Sequence, residues 1–78
     1  MALYYFHLHE CGQALEDLEG VECASLDEAL EIARANARDV MIGELRQGKL
    51  CFNWSISVAD ASAQEVARLR FRDAVTIT

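Results

Sequence analysis

Two histidines at alternate positions are the sharpest chemical feature of the N-terminal region. In an extended strand the imidazoles of His7 and His9 point to the same side, about 7 Å apart along the backbone, which suits two ligands of one metal ion. Cys11 would add a thiolate at the same spacing if the strand continued. Gly12 favours an end to the strand, and the sequence offers no evident fourth ligand. We therefore expect ordinary polar histidines and no bound zinc, with a metal site as the alternative.

Three arginines at alternate positions form a second set near the end of the chain. Arg68, Arg70 and Arg72 would share one side of a strand. With Tyr5 as a stacking platform, this surface would suit an anion, an acidic partner or single-stranded nucleic acid. The simpler interpretation is a solvated face whose arginines pair with acids opposite and protect an edge strand against aggregation.

Catalytic signals are missing from the sequence. It contains no nucleophile elbow, P-loop, dinucleotide fingerprint or HExxH motif. Most carboxylates lie between residues 10 and 31, where they form a solvated acidic run. A chain of 78 residues is also short for a pocket of the usual size, about 300 Å³ or more. We expect no enzymatic activity and no cofactor.

Composition bounds the remaining classes of protein. Thirteen acidic residues face seven basic ones, and a net charge of −6 argues against nucleic acid, whose binders normally present a basic patch. No stretch reaches the roughly 18 apolar residues of a membrane helix, and the start lacks the positive region of a signal peptide. The three cysteines are odd in number and lack CxxC spacing, which fits free thiols in a reducing compartment. We expect a cytoplasmic protein.

The length predicts one domain, residues 1–78. A chain of this size buries only about 60–65% of the surface that its unfolded form exposes, so its stability is marginal. Hydrophobic residues make up 53% of the chain, and oligomerisation is the usual further source of stability. We therefore expect a homodimer that acts through protein contacts.

The N-terminal third alternates like a strand and then turns. Residues 3–9 predict a strand with its purely apolar positions on the core face. Residues 10–20 contain two glycines and four acids, which predicts a loop or a long hairpin turn. Residues 21–23 are expected to return as a short second strand.

One long helix is predicted over residues 26–47. Ser25 and Glu28 form a capping box in which the hydroxyl accepts from the Glu28 amide and the carboxylate reaches back to the Ser25 amide. Gly48 supplies a left-handed stop. Ile32 and Ile42 fall on the outer side of this helix. The apolar positions that should face a sheet are Leu26, Ala29, Leu30, Ala33, Ala37, Val40 and Met41.

The C-terminal third predicts a β-hairpin. Residues 51–59 alternate, with Phe52 on the inward side, and residues 65–72 form the partner strand after a turn at 60–64. The tail, residues 73–78, is expected to form a turn or an extra strand. The result is an α+β fold, a two-layer sandwich with one helix on an antiparallel sheet of three to four strands in the order β-β-α-β-β.

Short motifs along nearly the whole chain resemble a family of small uncharacterised bacterial proteins, seen mostly in alphaproteobacteria and classed as a domain of unknown function. The resemblance implies no catalytic residue. The chain departs from it near Cys11, where Glu-Cys-Gly stands in place of the expected Asp-Gly. The motifs are Tyr4-Tyr5-Phe6-His7-Leu8, Glu19-Gly20-Val21-Glu22, Leu26-Asp27-Glu28-Ala29 and Phe71-Arg72-Asp73-Ala74-Val75.

A second resemblance, over residues 3–37, is to HicB-like antitoxin domains. Those also open with an aromatic strand, pass through an acidic turn with a glycine and enter a helix on a motif like Ser25–Ala29. This resemblance implies an antitoxin-type domain that binds a protein partner.

Overall fold

The computed structural model describes residues 1–10, 13–51 and 53–76. It confirms the predicted α+β class, with one long helix packed on an antiparallel sheet. The sheet has five strands rather than three to four. The elements are β1 (Ala2–Glu10), β2 (Gln13–Leu15), β3 (Val21–Cys23), α1 (Leu26–Arg46), β4 (Ser55–Ala59), β5 (Glu65–Arg70) and a 3-10 helix (Phe71–Ala74).

The additional strand lies where the sequence predicted a loop. The main order is β2-β1-β4-β5, and β3 also pairs with β1. Because β2 pairs with one end of β1 and β3 with the other, residues 13–23 run back along β1 as one strand that is interrupted at residues 16–20. The sequence did not predict β2, because it has only three residues and lies in a segment rich in glycine and acids. β3 is equally short.

The core lies between α1 and the even-numbered side of the central strands. Phe6 faces Val58, and Leu8 faces Ile56, in the β1–β4 pair, and β5 continues the same side with Leu69. The hairpin turn between β4 and β5 falls on residues 60–64, as predicted. The buried apolar cluster is Cys23, Ala29, Ala33, Ala37, Met41, Ile56, Val58, Leu69, Phe71 and Ala74.

The ends of α1 follow from local chemistry. The Ser25 hydroxyl accepts from the Glu28 amide at 3.2 Å, as predicted, whereas the Glu28 carboxylate accepts from Ala24 rather than from Ser25. At the other end Gly48 has φ +79, and the amides of Gly48 and Lys49 donate to carbonyls of the last turn. These paired bonds are those of a Schellman motif, which satisfies carbonyls that the helix leaves open.

Small residues bring α1 close to the sheet. Ala29, Ala33 and Ala37 are fully buried, and the larger members of the predicted stripe pack around them. Ile32 is a correction, because it is half-buried against the core cluster although the sequence placed it on the outer side. Ile42 is exposed, as the spacing predicted.

The C-terminal strands are shorter than the alternation predicted. β4 begins at Ser55 rather than at residue 51, and β5 ends at Arg70, where the chain turns into the 3-10 helix. Where the strands end, the Phe71 amide donates to the Trp54 carbonyl, and its ring packs edge-on against the indole with the centroids 5.7 Å apart. The predictions for Phe52 and for the last two residues of the tail lie outside the described residues.

No helix among the described residues is long and apolar enough to cross a membrane.

Candidate functional site

The strand register assembles the polar sheet face that the sequence predicted. In the β1–β4 pair His7 faces Ser57, and His9 faces Ser55. In the β4–β5 pair those two serines face Arg68 and Arg70. The two histidines and two of the three predicted arginines therefore lie on one face of the sheet, opposite the helix.

This face is less open than expected. Ser55 and Ser57 are buried, because the side chains of β5 lie over them. Arg68 donates to Ser55 at 3.1 Å and to Glu65 at 2.8 Å, while the Ser57 hydroxyl donates to the same Glu65 carboxylate. The Ser57 bond, and then the Arg68 bonds, lower the pKa of Glu65.

Two of the three arginines are paired with an acid three residues away in the sequence. Arg70 lies 3.6 Å from the Asp73 carboxylate, and Arg68 pairs with Glu65. Arg72 is a correction, since it lies in the 3-10 helix and not on the strand. Only part of the positive charge expected for an anion-binding surface therefore remains available.

The His7 side chain is hydrogen-bonded to the segment between β2 and β3. Its Nδ1 accepts from the Asp17 amide at 3.0 Å, which assigns a neutral ring with the proton on Nε2. The ring lies parallel to that of Tyr5, with centroids 6.3 Å apart. No group of three residues suited to a metal ion occurs in the part of the chain that the structure describes, and the prediction for Cys11 lies outside it.

Asp17 organises residues 16–20, which we call the acidic loop. Its carboxylate accepts from the amides of Phe6, Glu19 and Gly20 at 3.1–3.2 Å. Partial burial raises the pKa of Asp17, but the three hydrogen bonds, led by that of Gly20, outweigh burial and lower the pKa overall. This role could not be predicted from the sequence, because Asp17 stands among three other acids of the predicted turn.

A shallow cleft of about 250 Å³ opens beside the two stacked rings. We call it the sheet cleft. One wall comes from the acidic loop and the other from the β4–β5 turn, where Ala63 has φ +63. The lining residues are Tyr5, His7, Asp17, Leu18, Ala61 and Ala63.

A larger and almost wholly apolar groove of about 350 Å³ lies at the C-terminal end of α1. We call it the apolar groove, and its lining is Arg38, Met41, Ile42, Leu45, Leu50 and Val75. Arg38 crosses one wall and donates from Nε to the Ala74 carbonyl at 2.9 Å, which joins the helix to the 3-10 segment.

Large side chains of the apolar groove face solvent. Ile42, Leu45, Leu50 and Val75 are between 38% and 58% exposed. The sequence reasoning missed the groove, since it treated Ile42 as an isolated exposed residue and expected no pocket of this size. The missed signal was Leu45, which lies one helical turn after Ile42 on α1. The fold then adds Leu50 and Val75, which lie outside both the helix and the strands.

Charge is strongly segregated along the chain. Residues 1–33 contain eight of the thirteen acids and no lysine or arginine, so all seven cations lie in residues 34–78. Around the apolar groove, neither Arg38 nor Arg46 has a carboxylate partner among the described residues, whereas Lys49 lies 3.9 Å from Glu44. The groove therefore lies in the cationic part of an acidic protein.

Comparison with known proteins agrees with the resemblance in the sequence. The sequence profile of a domain of unknown function, DUF6894, matches residues 3–72. The chain belongs to the DUF6894 family. The match spans all five strands, α1 and the start of the 3-10 helix of this DUF6894 domain. No curated protein and no solved structure gave a significant match to the chain.

Proposed function

We propose that this DUF6894 domain is a non-enzymatic domain that acts through protein contacts and forms a homodimer. The apolar groove is the observation that carries the proposal. Its lining exposes four large aliphatic side chains side by side in a small protein, and contiguous apolar surface of this kind marks sites of protein association.

The size of the domain supports self-association. A chain of 78 residues has little core, and covering Ile42 and Leu45 with a second chain would add buried apolar area at about 25 cal/mol per Å². The likeness of residues 3–37 to HicB-like antitoxin domains supports the same general class of function, a domain that binds proteins.

The cytoplasm is the proposed compartment. Cys23 is a free thiol that is fully buried, and burial, followed by the nearby Glu28 carboxylate, raises its pKa. A thiol held in its protonated form is poorly reactive, which fits a structural role in a reducing compartment.

Native mass spectrometry of the untagged full chain tests the proposal. We expect the mass of two chains without a retained ion or ligand, and an Ile42→Asp variant that is monomeric with an unchanged far-ultraviolet circular dichroism spectrum. A Val66→Asp variant is the matched control, because Val66 is a similarly exposed aliphatic residue on β5 outside the apolar groove. A monomeric parent protein would contradict the proposal.

A second candidate function is binding of a small ligand or a metal ion at the sheet face. The sheet cleft favours it, since Tyr5 and His7 present parallel rings beside an open volume and His9 lies on the same face. The same mass spectrum separates the two candidates. A retained ion or ligand that is lost in a His7→Ala/His9→Ala variant would favour the second.

A further inference from the structure

We infer that the apolar groove of one copy is occupied by the acidic loop of a second copy, with Leu18 as the inserted side chain. Two such contacts, related by a two-fold axis, would form the dimer. This inference rests on the proposed function, because it names the occupant of the same groove.

Leu18 has the properties of an inserted anchor. It is 84% exposed, far more than the other leucines of the described chain. It follows Asp17, whose carboxylate accepts from Phe6 and from the two residues after Leu18, while the Asp17 amide donates to His7. An exposed leucine on a loop fixed in this way loses little conformational entropy on docking.

The charges of the two surfaces are complementary. Glu16 and Glu19 flank Leu18 and are exposed, and neither makes an ion pair among the described residues. The lining of the apolar groove includes Arg38, and Arg46 follows the lining residue Leu45 in the last turn of α1. A loop with an apolar tip and acidic flanks matches an apolar groove with cationic surroundings.

Within one chain the acidic loop does not contact the apolar groove, so the proposed contact requires a second chain. All residues that line the apolar groove lie between positions 38 and 75, and the acidic loop lines the separate sheet cleft. The groove therefore remains open, and Leu18 remains exposed, within a single copy.

The size of a stable interface favours two reciprocal contacts. A standard interface buries about 800 Å² on each partner. One leucine in a groove of about 350 Å³ covers much less than this. A two-fold dimer uses the loop and the groove of both copies, whereas a single head-to-tail contact would leave one of each open and would extend into chains.

Complementation between two broken variants is the decisive experiment. Leu18→Asp removes the anchor and keeps the groove, whereas Leu45→Asp places a charge in the groove and keeps the anchor. Both side chains are exposed, so neither change removes core packing, and Ile42→Asp replaces Leu45→Asp if that variant fails to fold. Native mass spectrometry with one variant labelled with ¹⁵N reports every pairing by its mass.

Each variant alone should lose the dimer mass. Their equimolar mixture should regain a dimer that contains one chain of each kind, with lower affinity than the parent because one of its two contacts is intact. A dimeric Leu18→Asp variant would overturn the inference and would instead indicate grooves packed against each other. A mixture that stays monomeric at the highest concentration measured would also overturn it. A monomeric parent protein would remove the proposed function itself, so the two failures are distinguishable.

Discussion

Asp17 compensates for the interruption between β2 and β3. At residues 16–20 no backbone ladder serves the edge of β1, and the Asp17 carboxylate takes the place of the missing carbonyl by accepting from Phe6. The same carboxylate fixes the turn through Glu19 and Gly20. One short acidic side chain therefore closes the edge and shapes the loop that presents Leu18.

Removing the Asp17 carboxylate should destabilise the protein. We expect Asp17→Ala to lower the free energy of unfolding by about 1.5–3 kcal/mol, the usual value for hydrogen bonds to a charged group. Glu16→Ala, at an exposed position without a hydrogen bond among the described residues, should stay within about 0.5 kcal/mol of the parent. Urea unfolding measures both, and equal effects of the two changes would contradict the role given to Asp17.

The lowered pKa of Asp17 also predicts a pH dependence. Because the folded state holds this pKa below its unfolded value of about 3.9, the stabilisation is fully present above that value and is lost as the pH falls through the folded pKa. The parent protein should therefore lose more stability between about pH 5 and pH 2 than Asp17→Asn does. Parallel stability profiles of the two proteins over this range would refute the prediction.

At the scale of elements, α1 lies close to the sheet because alanine occupies its contact positions. Ala29, Ala33 and Ala37 are fully buried, one helical turn apart, over the central strands. Larger side chains on both flanks then complete the core. The helix is thus positioned by the absence of bulk at these three places.

Added bulk on the contact line should force the two layers apart. We expect Ala33→Leu to lower the free energy of unfolding by about 1–3 kcal/mol, the usual cost of overpacking. Ala35→Leu makes the same change on the exposed side and should stay within about 0.5 kcal/mol. Thermal unfolding of both variants checks this. An Ala33→Leu variant as stable as the parent would contradict the prediction and show that the core can accommodate the larger side chain.

At the scale of the whole molecule, charge is segregated along the chain. Its purely acidic first 33 residues include the acidic loop, and its cations lie in the part that forms the apolar groove. An overall charge of −6 makes copies repel one another in general. Attraction between copies then depends on orientation, which favours a contact between the acidic loop and the groove.

The association should respond to salt through this orientation. Raising the ionic strength from about 0.1 M to about 1 M shortens the Debye length from about 10 Å to about 3 Å. Because screening weakens both the general repulsion and the local attraction, we expect a variant that loses a cation near the groove to associate more slowly than the parent at low salt and at nearly the parent rate at high salt. Stopped-flow mixing after dilution measures this rate.

Two matched variants separate the groove from the rest of the surface. Arg46→Gln should lower the association rate at low salt, because Arg46 follows Leu45 of the groove lining and has no carboxylate partner among the described residues. Arg70→Gln should leave it unchanged, because Arg70 lies beside the Asp73 carboxylate. Equal changes in both variants would indicate a general charge effect and no steering toward the groove.

The sequence by itself determined the elements whose signals are local. A cap at Ser25, a stop at Gly48 and seven apolar positions at helical spacing fixed α1 to within one residue of its predicted end. Alternation placed His7 and His9 on one side of β1, and the register of the sheet then set them on the same face as Arg68 and Arg70, with β4 between them.

Only the tertiary structure decided which of these residues remain available. Local spacing cannot reveal that Glu65 pairs with Arg68 or that the Asp17 amide donates to His7 Nδ1. It also cannot reveal that the chain leaves the last strand for a 3-10 helix at Phe71. The apolar groove arises partly in the same way, because Val75 comes from the C-terminal segment, far in the sequence from Ile42 and Leu45 of α1. Contacts between residues distant in sequence leave no periodic pattern in the sequence. The complete apolar groove, which is the feature that best indicates a function, could therefore be identified only from the tertiary structure.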